Sequence, residues 1–385
     1  MEIVRLGIVG LGNMGRAHLA NIRAGKVEGL KVTALCESAG TLPKLNEGEV
    51  GYTDVNAMIH SGKINAILVC TPHYSHTTIG IEALKTGLHL LVEKPISVHK
   101  ADCERLIAAH TDKKKIFAAM FNMRTSSVFK KVKDLIDGGE LGEIRRVHWE
   151  VSNWFRTNYY YATGGWRGTW KGEGGGVLMN QCPHNLDLFQ WLFGMPQRVR
   201  GFCQFGRFHD IEVEDDVTAM LLYDNGMTAT FVTSTGEHPG KNCLEICGER
   251  GRLTVTDNSR IHFQRNRQPM TEFSKSVQAA FATPETWHMD IPTENTSGAH
   301  VEILQNFTNA ILKGETLISP AQEGIHSVEL ANSILLSTWK DATITLPMNG
   351  AEYEAILKDK SENSTFVKPT VAPKATSDDF AKSFR

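Results

Sequence analysis

Short apolar runs separated by helix-spaced segments fill the first third of the chain. Residues 3–9 form a β-branched run that ends in glycines. Residues 31–36 (KVTALC), 65–70 (NAILVC), 88–92 (LHLLV) and 116–121 are further runs of strand length. Between them, residues 13–23, 75–86 and 100–110 carry helical spacing, and Gly87 stands where a helix end favours a left-handed residue. Strands alternating with helices predict a doubly wound α/β fold: a parallel sheet covered on both faces.

After Met123 the pattern changes. A helix is predicted over 126–137. Longer strand-like runs follow over 144–154, 197–207, 214–223, 243–248 and 251–256. Met227, Ala229 and Phe231 alternate with Thr228, Thr230 and Val232, the period of a strand. With Gly226, Gly248 and Gly251 at the turns, these segments predict an α+β domain with a large, mainly antiparallel open sheet, one face covered by helices. Helices over 300–312 and 322–340 close over that sheet or return to the first domain. The division is therefore a Rossmann domain over 1–122, a substrate-binding and oligomerisation domain over 123–357, and a polar tail over 358–385. The tail is expected to be mobile unless it docks on a partner subunit.

A length of 385 residues agrees with two domains, and 41% hydrophobic with 22% charged residues allows a sizeable core. Lys plus Arg is 41 against Asp plus Glu at 43, so the net charge of −2 gives no electrostatic case for nucleic acid or anionic membrane. No apolar stretch reaches membrane-span length. The N-terminal run is broken by Arg5 and lacks a basic leader, so a cytoplasmic location is expected. Seven scattered cysteines do not suggest a disulfide framework. Cys243 and Cys247 lack a companion Cys/His cluster, so no metal site is expected.

Gly10-Leu11-Gly12-Asn13-Met14-Gly15 matches G-x-G-x-x-G. A bare match is weak. This one follows a predicted strand and opens a predicted helix, the context in which backbone N–H groups and the helix dipole hold a pyrophosphate. Glu37 ends the second strand, where a carboxylate accepts hydrogen bonds from the adenosine ribose and repels a 2′-phosphate. At about 4 Å that repulsion is roughly 1–4 kcal/mol, which favours NAD over NADP.

Other segments then carry a resemblance. Glu93-Lys94-Pro95 follows the strand 88–92. Gly174-Gly175-Gly176 precedes Asn180, His184 and Asp187. With the glycine fingerprint and the loop Thr71-Pro72-His73-Tyr74-Ser75-His76, these resemble the Gfo/Idh/MocA family of glucose–fructose oxidoreductase and inositol dehydrogenase relatives, over about residues 1–340. The resemblance implies a catalytic Lys94, an often cis bond to Pro95, and a cofactor site that also draws on Thr71, Pro72, His73, His76 and Glu93. It also brings Trp166 and Arg167 towards cofactor or substrate, and implies a homodimer or homotetramer.

Chemistry supports the same residues. Oxidising a secondary alcohol sends a hydride to nicotinamide and a proton to a base near neutrality, which suits His184. A cation beside the oxygen stabilises developing alkoxide, which suits Lys94. Many family members carry aspartate where this chain has Asn180. An amide cannot be a base, so Asn180 is read as a hydroxyl-orienting residue. On one continuous helix Asn180, His184 and Asp187 would share a face, and Asp187 would orient His184 or anchor the helix. Tyr159, Tyr160 and Trp166 suit the C–H faces of a sugar or polyol. Asn122 and Arg124 end the last strand and are placed facing the cleft. The expected activity is dehydrogenation of a sugar, glycoside or inositol hydroxyl with NAD. The alternatives are a glycoside hydrolase that recycles tightly bound NAD, and a non-catalytic dinucleotide sensor.

Overall fold

The computed structural model describes residues 2–38, 40–294, 296–369 and 371. They form two sheets. The first contains β1 (Val4–Val9), β2 (Leu30–Cys36), β3 (Val50–Tyr52), β4 (Ala66–Val69), β5 (His89–Val92) and β6 (Phe117–Ala119) in the order β3-β2-β1-β4-β5-β6, every pair parallel. Its central strands are apolar over most of their length, as β4 shows with four buried residues in succession, because helices cover both faces. One face packs Leu6, Ile8, Leu35 and Leu68 against Ile303, Leu304 and Phe307 of the helix His300–Lys313. That helix therefore returns to the first sheet, one of the two placements open to it.

The second sheet contains β7 (Ile144–Val151), β8 (Arg198–Phe205), β9 (Glu214–Leu222), β10 (Thr228–Ser234), β11 (Asn242–Gly248), β12 (Gly251–Thr256), β13 (Arg260–Asn266), β14 (Thr286–Ile291) and β15 (Ile344–Thr345). Their order is β14-β13-β12-β11-β7-β10-β9-β8-β15. The pairing is antiparallel except between β7 and β10, which run parallel from Arg146↔Thr228 to Val151↔Thr233. A simple chain of hairpins is thus corrected at one junction. The helix Gly324–Lys340 lies on β8 and on the helix Pro183–Phe193, and also touches the helix Lys100–Ala109 of the first lobe. There Lys100 Nζ meets Glu329 Oε1 at 2.8 Å, and Asn332 Oδ1 accepts from the Lys100 N–H at 2.9 Å.

The chain end differs from the expected loose tail. A helix spans Gly350–Glu362, capped by Asn349, and so runs through residue 358. Beyond it the described residues lie on the second lobe. Ser364 Oγ donates to Glu212, Lys368 Nζ donates to the carbonyls of Gly164 and Arg167, and the Val371 N–H reaches Ala162 O at 3.2 Å. Among the described residues no helix is long and apolar enough to cross a membrane.

Candidate active site

Strand register builds the first half of the site. Val9 pairs with Cys36 and with Val69, and Val69 pairs with Val92. The next residues, Gly10, Glu37, Cys70 and Glu93, therefore leave the sheet side by side at its carboxyl edge. There β2 and β4 flank β1 and the strand order reverses, which is where open α/β sheets bind ligands. Gly10 has φ +83°, and a Cβ there would lie 2.7 Å from Cys70 O. A Cβ on Gly15 would lie 2.0 Å from Gly10 O. At Gly12 a Cβ would meet nothing within 4 Å. Gly12 and Asn13 are exposed, Met14 is half-buried, and the helix Asn13–Arg23 starts without a side-chain cap. Open space over an uncapped helix start fits a pyrophosphate. Glu37 Oε2 accepts from the Leu11 N–H at 2.8 Å, so its carboxylate stands against the glycine turn.

The neighbouring loops lock to one another. His76 is buried with Nδ1 2.8 Å from Pro95 O and Nε2 2.8 Å from Thr71 O. It braces the Thr71-Pro72 turn against the lysine loop. His73 contacts the second lobe: its Nδ1 is 3.3 Å from Glu173 O, and its ring meets Trp166 edge-on at 5.1 Å. Burial drives its pKa well below the ordinary histidine value.

Glu93 and Lys94 follow. The Lys94–Pro95 bond is cis. Glu93 Oε1 lies 2.7 Å from His18 Nε2, and its Oε2 accepts from the Lys94 N–H at 3.2 Å. Burial pushes this carboxyl up, but the His18 hydrogen bond and the charges of His18, His300 and Lys94 outweigh it and leave it at about 2. His18, Cys70 and Glu93 hold ligand-type atoms within 4.8 Å of one another, and the His18–Glu93 contact uses two of them. Lys94 Nζ donates to Asn180 O at 2.9 Å, and burial lowers the lysine pKa.

The second lobe presents Asn180 and His184 through a tight glycine turn. A Cβ on Gly174 would lie 2.1 Å from Val98 Cγ1, and one on Gly176 would lie 2.0 Å from Glu214 O. The run of glycines therefore allows close approach to the first lobe and to β9. Glu214 Oε1 accepts from the Leu178 N–H at 3.1 Å at the start of the short helix Val177–Asn180. That helix ends at Asn180, and a new one begins at Pro183. Asn180 is therefore not on the His184 helix, and the expected single face of three residues is corrected: proline tolerates only the first turn. His184 sits in that first turn, 6.1 Å edge-on from Phe121. Its Nδ1 is buried without a hydrogen-bond partner among the described residues. Burial, then the charges of Lys94 and His300, push its pKa well below the ordinary value, so the ring is neutral.

Asp187 is paired with Arg124. Its two oxygens accept from Arg124 Nε at 2.8 Å and Nη2 at 2.6 Å. Arg124 Nη1 reaches Glu323 Oε2 at 2.5 Å. Arg124 is 1% exposed and faces this network, which corrects its expected place in the cleft. Asn122 is buried; its Nδ2 donates to Gly298 O at 2.9 Å, and its Oδ1 has no partner among the described residues.

The aromatic segment divides. The Arg167 guanidinium lies 4.7 Å from the Tyr160 ring centre and 5.1 Å from that of Trp166, and Arg156 covers Tyr160 at 5.2 Å. The Tyr160 hydroxyl is 3.4 Å from Asn180 Nδ2. Tyr159 is not brought to this group. It is 44% exposed and lines a cavity of about 340 Å³ with Phe366 and Lys368 of the chain end. Glu173, Glu214, His18 and His300 lie outside the residues singled out in the sequence. Glu173 directly precedes the glycine run, the one local signal pointing to it.

A Rossmann sheet with an open phosphate-binding edge, joined to a second lobe through a half-buried lysine, defines a two-domain NAD-binding oxidoreductase. Residues 4–121 match the oxidoreductase family's NAD-binding Rossmann fold, and residues 129–254 match the GFO/IDH/MocA C-terminal domain. The chain belongs to the GFO/IDH/MocA family. It is 26% identical over 207 residues to Oxidoreductase P35 of Formosa agariphila, covering 53% of this chain and 63% of that one. It is 28% identical over 151 residues to inositol 2-dehydrogenase of Salmonella typhimurium, covering 38% of this chain and 45% of that one. The matches thus span less than two thirds of these two relatives. Myo-inositol 2-dehydrogenase of Thermotoga maritima is 28% identical over 269 residues, 67% of this chain and 76% of that one. In fold, the chain resembles the WlbA dehydrogenase of Bordetella pertussis, solved with NADH and UDP-GlcNAcA. The TM-score is 0.75 at 23% identity, over 90% of this chain and 100% of that one.

Proposed function

We propose that the protein is an NAD-dependent dehydrogenase of a secondary hydroxyl on a sugar, glycoside or inositol. The observation that carries this reading is the meeting of Lys94, from the sheet edge, with the Asn180 backbone just before a neutral, half-buried His184. When bound, nicotinamide supplies the hydride acceptor. The chain's own residues then handle the oxygen and the proton. Lys94 donates a hydrogen bond to the substrate oxygen and stabilises alkoxide character. His184, held neutral, takes the hydroxyl proton. Asn180 orients the hydroxyl, and Tyr160 with Trp166 offers aromatic faces to the ring. Thr71, Pro72, His73, His76 and Asn122 shape the nicotinamide end, and Glu37 favours NAD over NADP. The uncovered face of the second sheet, where Phe202 and Met220 are exposed, is the surface for a homodimer or homotetramer.

Relatives with names of this chemistry, the inositol dehydrogenases, support the substrate class. The test is a panel of sugars, glycosides and inositols with NAD, followed by absorbance of reduced cofactor. Net NADH formation is expected with at least one member, and Lys94→Ala and His184→Ala are each expected to slow it by about 10²-fold or more. Glycoside cleavage without net NADH would instead identify redox-neutral hydrolysis. Turnover near that of the parent in both variants would refute the assignment.

A further inference from the structure

Glu173 is 1% exposed, and its carboxyl lies against the Asn180 side chain. Its Oε2 accepts from the Gly168 N–H at 2.7 Å, and its Oε1 accepts from Asn180 Nδ2. Lys94 Nζ binds the carbonyl of the same asparagine at 2.9 Å. The groups that face this carboxyl come from several elements. Lys94 comes from the first lobe, Arg167 from the aromatic segment, and Tyr161 from the same region; His73 meets the backbone carbonyl of Glu173, not its carboxyl. Glu214 comes from β9 and Lys368 from the chain end. Burial raises the Glu173 carboxyl to about 7, against the hydrogen bonds from Gly168 and Asn180 and the charges of Arg167 and Lys368.

An ionised carboxylate only accepts hydrogen bonds, so it holds the Nδ2 end of Asn180 and leaves the Oδ1 end for other partners. A protonated carboxyl has an O–H to give, and the best acceptor within reach is Oδ1 of the same amide. The amide then turns, and its NH₂ is the free end. One proton on Glu173 thereby selects whether Asn180 offers an acceptor or a donor. An acceptor suits an alcohol hydroxyl; a donor suits the ketone formed from it.

We infer that Glu173 is a positioning residue whose protonation sets the orientation of the Asn180 amide towards the substrate oxygen. This rests on the dehydrogenase reading, with Asn180 as the hydroxyl-orienting group. No bond is made or broken by the switch; one proton is exchanged with solvent.

The test compares the full-length parent, Glu173→Gln and Asn180→Ala with saturating NAD. In the parent, kcat/KM for alcohol oxidation is expected to rise with pH through about 7. Glu173→Gln is expected to lose that limb and to fall at least tenfold on the high-pH plateau, with the NADH Kd unchanged. Asn180→Ala is expected to lose the same limb while Glu173 still titrates. That titration is read by the infrared carbonyl band of a protonated carboxyl, which Glu173→Gln lacks. A limb retained in either variant overturns the inference, as does a parent without a carboxyl band titrating near neutrality. If Glu173→Gln fails to fold, Asn180→Ala and the infrared titration of Glu214→Gln, which removes the other buried carboxyl raised towards neutrality, decide. A parent that oxidises nothing sinks the dehydrogenase reading, and with it the substrate step. The infrared titration separates that failure from one in which Glu173 holds no proton.

Discussion

Asp187→Asn tests whether the carboxylate beside His184 is structural. Arg124 and Asp187 are each 1% exposed and share two hydrogen bonds, of 2.8 and 2.6 Å. Removing one partner of a buried ion pair costs roughly 3–5 kcal/mol, because the other charge is left without compensation. Here the guanidinium keeps Glu323, whose side chain is 43% exposed, and the Ile318 carbonyl at 3.3 Å. That compensation argues for the lower end, about 3 kcal/mol. An unfolding entropy of about 2.1 cal/mol/K per residue over 385 residues is about 0.8 kcal/mol/K, so Tm falls by roughly 4 °C. Urea unfolding gives the free energy, and a thermal melt gives Tm. Pairing Arg124→Met with Asp187→Leu removes both charges and is expected to recover most of the loss. Turnover well below Tm stays within a few-fold of the parent if Asp187 only anchors. A stability change under about 1 kcal/mol would refute the burial argument. A tenfold loss of kcat in the folded variant would return Asp187 to orienting His184.

Two more outcomes follow from the carboxylates. Glu37→Ala is expected to narrow the NADH/NADPH ratio of Kd by about tenfold, the scale of a charge–charge repulsion at about 4 Å; fluorescence titration of both cofactors measures it, and an unchanged ratio removes Glu37 from the ribose site. Burial raises the Glu214 carboxyl from 4.5 to about 8, so the folded chain holds a proton that the unfolded chain releases. The parent therefore loses stability as pH rises from about 4.5 to about 8, and Glu214→Gln removes that slope. Relative to its value at pH ~5, the variant is expected to gain on the order of 3–5 kcal/mol over the parent by pH ~9 in urea unfolding. Parallel pH dependences would count against a buried, proton-holding Glu214.

The first sheet was legible because a parallel strand covered on both faces reads as a nearly continuous apolar run, as in β4 and in β5 after His89. The segments that escaped notice lack that constraint. β13 (RIHFQRN) buries only two of its seven residues, and β14 (TWHMDI) has none buried. Their pairing with β12 and with each other, not their own pattern, makes them strands. The helix Gly350–Glu362 buries only Gly350, Tyr353 and Leu357, so its composition reads as tail. Asn349, whose side chain accepts from the N–H groups of Ala351 and Glu352, was the available start signal. The parallel pairing of β7 with β10 leaves no local mark, since either direction satisfies the same alternation.

The site divides along the same line. Gly10, Gly12, Gly15, Lys94 and His184 stand in local motifs, and a motif is short enough to carry its own reason. Polar partnerships across the fold have no such mark: His18 meets Glu93 across 75 residues, and Arg124 meets Asp187 across 63. Asp187 shows why this matters. Its i, i+3 spacing from His184 holds within the helix Pro183–Phe193 and suggests chemistry, yet its carboxylate meets Arg124 instead. A buried carboxylate needs a partner whether it reacts or holds, so polarity and burial alone cannot assign its role. The identity of the partner does. Asp187 shares two hydrogen bonds with a guanidinium that is itself buried, which is the contact Asp187→Asn tests. Glu173 faces an amide that can turn, so its proton remains available to act on the cleft.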